Sequence, residues 1–277
     1  MRGAGRLLNV IARLQKKRLG AFLTPRIWLN SFRASFMFSI SVALTTNIAI
    51  SDTFYIREIT YREIEEFTPR AIDFENFSNR NIDSTLVVGD ASFGERFFGQ
   101  NLSIKQDMFL RKHDILVESD IESPLKLKPG PLNQNFEVRF DETLGSQALM
   151  PLGPPEDAAL SYDTGTGSIA ILFSQPMCYL ALKISVDGIS YDNSTWSKNT
   201  VRRRFDEGIF NIIFYNSDGV QLANFKRYFD SGTLAIGYMQ TSISEAQIAG
   251  VFIQNLDPYG IGIDDIRFDP ICPFRLF

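Results

Sequence analysis

Few residues in this chain have the type and spacing to do chemistry. The stretch from Gln247 to Asp269 reads QIAGVFIQNLDPYGIGIDDIRFD: an apolar strand, a turn, and a second strand that carries the adjacent acids Asp264 and Asp265. Carboxylate oxygens are what hard cations take as ligands, so the pair points to a metal before it points to catalysis. His113 is the single histidine, which excludes a multi-histidine metal centre, and two cysteines, Cys178 and Cys272, are too few for a cysteine-rich zinc site. A Ser-His-Asp hydrolase would have to use His113, and Gly-x-Ser-x-Gly does not occur; Gly165-Thr166-Gly167-Ser168 has the composition in the wrong order. A glycosidase needs two carboxylates roughly 5–10 Å apart across a cleft. With 32 acids in the chain, composition singles out no such pair. The sequence reads as that of a non-catalytic protein.

Aromatic side chains on loops offer a different chemistry, because their faces stack against sugar rings. Trp196, Tyr191, Tyr162 and Tyr259 stand beside Gly, Asp or Ser in expected loops. Trp196 is the first choice: its segment, DGISYDNSTWSKN, is polar and gives a Trp no evident core role. Packing against a neighbouring strand edge is the other reading of that residue.

The elements that must hold these residues are β-strands. SIAILF from Ser168, YLALKISV from Tyr179, GIFNIIFY from Gly208, QLANFKRYF from Gln221 and TLAIGY from Thr233 are strand-length runs of alternating or continuous apolar character. Ile248–Gln254 and Ile261–Phe268 complete the series. Between them stand turn formers: Gln175-Pro176, Asp187-Gly188, Ser217-Asp218-Gly219, Ser231-Gly232 and Asp257-Pro258-Tyr259-Gly260. Helical periodicity is confined to a possible turn at Ile243–Ala246. Many short strands without βαβ alternation predict an all-β fold, an antiparallel two-sheet sandwich of jelly-roll type.

Earlier in the chain the signals are weaker. Asp52–Phe67 fits a strand or a short helix, and periodicity does not separate them. Ala71–Phe77 alternates with period two and predicts a half-buried strand with Asp73 and Glu75 on one face. Around Val88-Gly89-Asp90 and Phe93–Gln100, glycines among aromatics predict tight backbone paths beside buried rings, without the spacing of a phosphate loop. Six prolines from Pro124 to Pro155 predict a long surface loop broken only by a strand at Phe136–Phe140.

Charge and hydropathy locate the protein. Residues 1–51 hold eight of the 28 Lys/Arg and none of the 32 Asp/Glu, so the rest of the chain is near −12. An acidic body of that kind is not an electrostatic nucleic-acid binder, and Arg202-Arg203-Arg204 is its one dense basic run. Phe36–Ile50, FMFSISVALTTNIAI, is an uncharged apolar stretch of signal-peptide length, with cleavage expected after Ser51; an uncleaved membrane anchor is the alternative. Export would place Cys178 and Cys272 where a disulfide persists. The expected layout is a targeting segment over 1–51, a lead-in over 52–69, the sandwich over 70–270 and a tail over 271–277.

Four segments together carry a resemblance: Asp73-Phe74-Glu75, SFGERFFGQ from Ser92, FNIIFYNSDGVQL from Phe210, and IAGVFIQNLDPYGIGIDDIRF from Ile248. The chain resembles exported bacterial β-sandwich proteins associated with the PEP-CTERM sorting system, over Arg70 to Asp269. It departs from them in ending with ICPFRLF rather than a Val-Pro-Glu-Pro sorting signal. Free secretion or periplasmic residence is therefore expected over covalent sorting, with the cell surface as the other location. Such families have no assigned activity. The opening DFE and closing IDDI also resemble the ends of MAM-type and carbohydrate-binding jelly rolls, whose first and last strands lie side by side. That resemblance implies a structural Ca²⁺ held by Glu75, Asp264 and Asp265, with Asp73 as a further candidate. Strand alternation puts Asp264 and Asp265 on opposite faces. The implied function is a binding module for extracellular polysaccharide or cell-surface glycan, with a structural or adhesive envelope protein as the alternative and a glycoside hydrolase as a distant one.

Overall fold

The computed structural model describes residues 55–68, 71–106, 112–155, 166–186, 210–227, 232–241, 245–255 and 260–272. In chain order the first half gives β1 (Ile56–Thr60), helix α1 (Tyr61–Phe67), β2 (Arg80–Ile82), β3 (Leu86–Val88), β4 (Ala91–Gly94), β5 (Arg96–Phe97), β6 (Gln100–Gln106), β7 (Lys112–Ser119) and β8 (Leu127–Lys128). The second half gives β9 (Phe136–Asp141), β10 (Ser146–Pro151), β11 (Ser168–Met177), β12 (Tyr179–Val186), β13 (Phe210–Tyr215), β14 (Gln221–Arg227), β15 (Gly232–Gln240), β16 (Ile248–Asn255) and β17 (Ile261–Asp269).

Two antiparallel sheets dominate. The first runs β1-β15-β12-β17-β10-β9-β2, the second β14-β13-β16-β11-β4-β3. Alternation explains how they meet. In YLALKISV of β12, Leu180, Leu182, Ile184 and Val186 enter the common core while Tyr179 and Ala181 face outward against α1. Opposite them Ile169, Ile171 and Phe173 of β11, with Phe210, Ile212 and Phe214 of β13, fill the same core. Phe173 meets Phe268 with ring centroids 4.8 Å apart, and Phe214 meets Tyr238 at 5.0 Å, so rings of one sheet lie on rings of the other. Two side chains thus set the thickness of a sandwich-like, mostly β fold.

Each outer face is partly covered. On the second sheet, Phe97, Leu125, Ala170, Ile213, Tyr215 and Phe252 form a second apolar cluster, with Leu102 and Leu116 of the β6–β7 hairpin packed onto it. On the first sheet, α1 rests on β12, β15 and β17 through Tyr61 and Ile64. Thr60 starts this helix with a capping box: its Oγ1 accepts from the Glu63 N–H at 3.2 Å, and its own N–H donates to the Glu63 carboxylate at 2.7 Å. The ambiguity over Asp52–Phe67 resolves into both answers, a strand and then a helix, divided at that cap. The segment expected as a lead-in supplies an edge strand of the first sheet, since β1 pairs with β15.

Several expectations need correction. Ala71–Phe77 is not a strand: Ile72 makes one bridge to Ile266, after which Asp73 Oδ1 accepts from the Glu75 N–H and Phe77 N–H donates to the Phe74 carbonyl, closing a turn. The bridge still sets this opening segment beside β17. Gln175-Pro176 is no turn but an irregularity inside β11, whose register with β16 shifts between Leu172 and Met177. The proline-rich region contains the strand β10 as well as β9, and the expected loop around Phe93 contains β4 and β5. There Gly99, at φ +86°, passes so near Asp120 that a Cβ would stand 1.8 Å from its carbonyl oxygen, the tight path that the glycines foretold. The pair β16 and β17, expected as a closing hairpin, lies in different sheets. β12 and β13 likewise belong to different sheets, and Asp187-Gly188 between them lies outside the described residues.

Candidate functional site

The closing acids are organised by a bulge. Across β12 and β17, Lys183 faces Asp264 while Ala181 faces Arg267, so β17 holds one residue more than its partner. The extra residue is Asp265, at φ +48°, a left-handed conformation that Asp tolerates better than most residues. Its insertion resets alternation, and Ile263 and Ile266 both enter the core. The opposite-face expectation for Asp264 and Asp265 is therefore overturned: both lie on the outer side of the first sheet.

Their chemistry then diverges. Asp265 Oδ2 is 2.7 Å from Lys183 Nζ and its Oδ1 is 3.1 Å from Arg267 Nε. Burial pushes its carboxyl up, but Lys183, Tyr61 and Arg267 outweigh this and hold it below its ordinary range. Arg267 also donates to Tyr61 Oη at 2.7 Å and to the Thr68 carbonyl at 2.9 Å, so the ion pair clamps α1 to the last strand. Asp264 is buried and accepts from Ser146 Oγ at 2.6 Å, while its Oδ1 has no partner among the described residues. Burial raises its carboxyl above the usual range, the Ser146 bond and the Asp265 N–H opposing and the charges of Asp265 and Asp73 adding to the rise. Glu75 Oε1 accepts from the Gln147 N–H at 3.0 Å. Asp73 and Asp264 thus come together, Glu75 is engaged by the β10 backbone, and Asp265 belongs to the clamp. Among the described residues no three acids, histidines or cysteines converge as a metal centre.

Cys178 and Cys272 are joined by a disulfide, their Cα atoms 5.1 Å apart, beneath α1 beside Tyr61 and Ile64. Trp196, Tyr191, Tyr162 and Tyr259 lie outside the described residues, as do the Arg202-Arg203-Arg204 run, the Phe36–Ile50 segment and the first half of Ile243–Ala246. Among the described residues no helix is long and apolar enough to cross a membrane.

The described strand ends nevertheless fix where the connections leave. Ser168 opens β11 opposite Gln254 near the close of β16; Phe210 opens β13 opposite both Asn255 and Arg227; Val186 closes β12 opposite Ile261 and Gly232. Gly153 after β10 lies against Gly167 before β11, each occupying the space a Cβ would need on the other. Every strand end bracketing 154–165, 187–209, 228–231 and 256–260 is therefore at one end of the sandwich.

That end carries a buried polar row which the sequence reading missed. Gln254 stands opposite Ser168 on one side and Asn211 on the other, all three on the outer face, alternating with Ile253, Ile169 and Ile212 of the core. β4 ends at Gly94, opposite Ala170, and Arg96 follows on β5, near enough to Asp114 for the two charges to act on each other. From β7 above, the Asp114 carboxylate accepts the Ser168 N–H. Burial pushes the Asp114 carboxyl up to about 6, with the Ser168 bond and the Arg96 charge opposing. Burial also lowers Arg96, whose guanidinium pairs with Glu95. Arg96 Nε, Asp114 Oδ2, Ser168 Oγ and Asn211 Oδ1 are all buried with no hydrogen-bond partner among the described residues. One sequence signal was available: SIAILF, FNIIFY and VFIQN are apolar strands that each carry one or two polar residues near the same end. Compared with protein-family models, curated proteins and solved structures, the chain matches none.

Proposed function

We propose that this protein is an exported, non-catalytic binding module of jelly-roll topology that takes carbohydrate at one end of its sandwich. The topology is supported by the strand orders β10-β17-β12-β15 and β11-β16-β13-β14, in which the chain alternates between layers and its last strand inserts between its first and third. Export is supported by the signal-like Phe36–Ile50 and by the sequence resemblance to exported sandwich proteins.

The observation that carries the ligand reading is the gathering of strand ends. The connections holding Tyr162, Tyr191, Trp196 and Tyr259 start and finish at one end of a rigid β scaffold, the arrangement in which loops commonly bind ligands. Saturable binding to a glycan array, lost in Trp196→Ala, is the expected result. A clean negative across a broad array favours the structural or adhesive alternative.

A structural Ca²⁺ is the second part of the proposal. It rests on Asp73 and Asp264, because Asp264 Oδ1 is buried without a partner among the described residues while Asp265 is already neutralised by two cations. Added Ca²⁺ should raise the melting temperature and EDTA should reverse the gain; a melt indifferent to both removes the ion.

A further inference from the structure

Resting on that assignment of the binding end, we propose that Arg96, Asp114, Ser168 and Asn211 form a subsite for the hydroxyl groups of a neutral sugar. The four residues come from β5, β7, β11 and β13, which are distant in sequence: Ser168 and Asn211 flank Gln254 on the outer face, and the Asp114 carboxylate reaches the Ser168 N–H beside Arg96. Ser168, Asp114 and Asn211 are each at least nine-tenths buried, at 0%, 6% and 9% exposure. Each nevertheless presents a polar atom that no described residue satisfies. Buried polar atoms are almost always paired, so several orphans in one row ask for a partner from outside the chain.

The atoms indicate what that partner is. Asp114 Oδ2 and Asn211 Oδ1 accept hydrogen bonds, Ser168 Oγ accepts or donates, and Arg96 Nε donates. The set is rich in acceptors with one fixed donor, and it calls for a ligand with several donors that can also accept. Sugar hydroxyls do both. An anion would meet two acceptor oxygens and an arginine already shared with Glu95, and a cation would sit beside the Arg96 guanidinium. Location agrees, because Ser168 is the first residue of β11 and Asn211 the second of β13, so the row lies where the connections leave. An isolated structural defect gives no reason for a row: the neighbours Ala170, Ile213 and Phe252 on this face are apolar, and the same would have served at Ser168 and Asn211.

The test uses full-length protein, with the neutral oligosaccharides that score on the array as calorimetric probes. Ser168→Ala and Asn211→Ala each remove an unsatisfied buried group, so the ligand-free denaturation midpoint should stay unchanged or rise, while affinity falls at least tenfold. Ser168→Ala alters the packing least and is the control if Asn211→Ala folds poorly. Wild-type affinity in both variants, with Trp196→Ala still abolishing binding, overturns the subsite and leaves the loop-end reading standing. An array on which the wild type binds nothing overturns both.

Discussion

Replacing Asp114 with asparagine should stabilise the protein at neutral pH, and the gain should vanish in acid. Asp114 lies between β7 and the outer face of the second sheet, where burial outweighs the Ser168 N–H and the Arg96 charge and moves its carboxyl from 3.8 to about 6. A folded-state value above the unfolded one means that folding favours the protonated acid. Below about pH 4 the group is neutral in both states and contributes nothing; as pH rises to about 6 the unfolded chain releases a proton that the folded chain retains, and stability falls throughout that window. Above it the full difference applies. About two units at 1.36 kcal/mol each amounts to roughly 3 kcal/mol of destabilisation at pH 7.

The substituted amide would keep an oxygen for the Ser168 N–H and would carry no charge at any pH. Allowing about 1 kcal/mol for a buried amide with one poorly placed donor, Asp114→Asn should gain about 2 kcal/mol at pH 7 and lose about 1 kcal/mol at pH 4. The quantity to measure is the difference between variant and wild type in urea denaturation, repeated from pH 4 to 7. Arg96 carries its charge beside Asp114 in both proteins, so its own contribution largely cancels in that difference. A difference flat across the range, or a variant less stable at pH 7, refutes the account of a carboxylate held against its preference.

Three further outcomes follow from the framework. Arg267→Ala removes the group that ties Tyr61, Thr68 and Asp265 together; a cost of about 2 kcal/mol is expected, with amide exchange rising first in α1. Cys178 and Cys272 close a loop of 94 residues, so replacing both with serine should cost about 4–5 kcal/mol by chain entropy, read as a lower denaturation midpoint, and mass spectrometry finding both thiols free in exported protein removes the premise. Gly99→Ala places a methyl 1.8 Å from the Asp120 carbonyl oxygen at φ +86°, so about 3 kcal/mol or more is expected, and a neutral melt contradicts the local path.

Strand existence was legible wherever side-chain burial alternates or is complete on one element. The run Tyr179–Val186 has the bounds of β12, and the other six late strands were found within one to four residues of theirs. What escaped was pairing. Asp257–Gly260 looks like a hairpin turn because turn residues mark a change of direction, and the same residues serve whether the next strand joins its neighbour or crosses to the other layer. The early strands escaped for another reason. β5 and β8 are two residues each, too short for any period to register, and they form through contacts with partners far along the chain.

The candidate site shows the same limit at the scale of single residues. Asp264 and Asp265 were visible as a pair, but their faces depended on whether β17 holds one residue more than β12, and nothing local to IGIDDIRFD announces an insertion. Ile263 and Ile266 hold the clue together: both are large and apolar, they are three apart, and a regular strand cannot bury both on one side. A bulge between them reconciles the pair, and it consigns Asp265 to an ion pair that closes the fold. The polar row was less visible still, because each of its members is an ordinary residue in its own segment. Arg96, Asp114, Ser168 and Asn211 acquire a chemical meaning only when β11, β16 and β13 are laid in register with β5 and β7 packed against them, which is a property of the assembled fold rather than of any stretch of sequence.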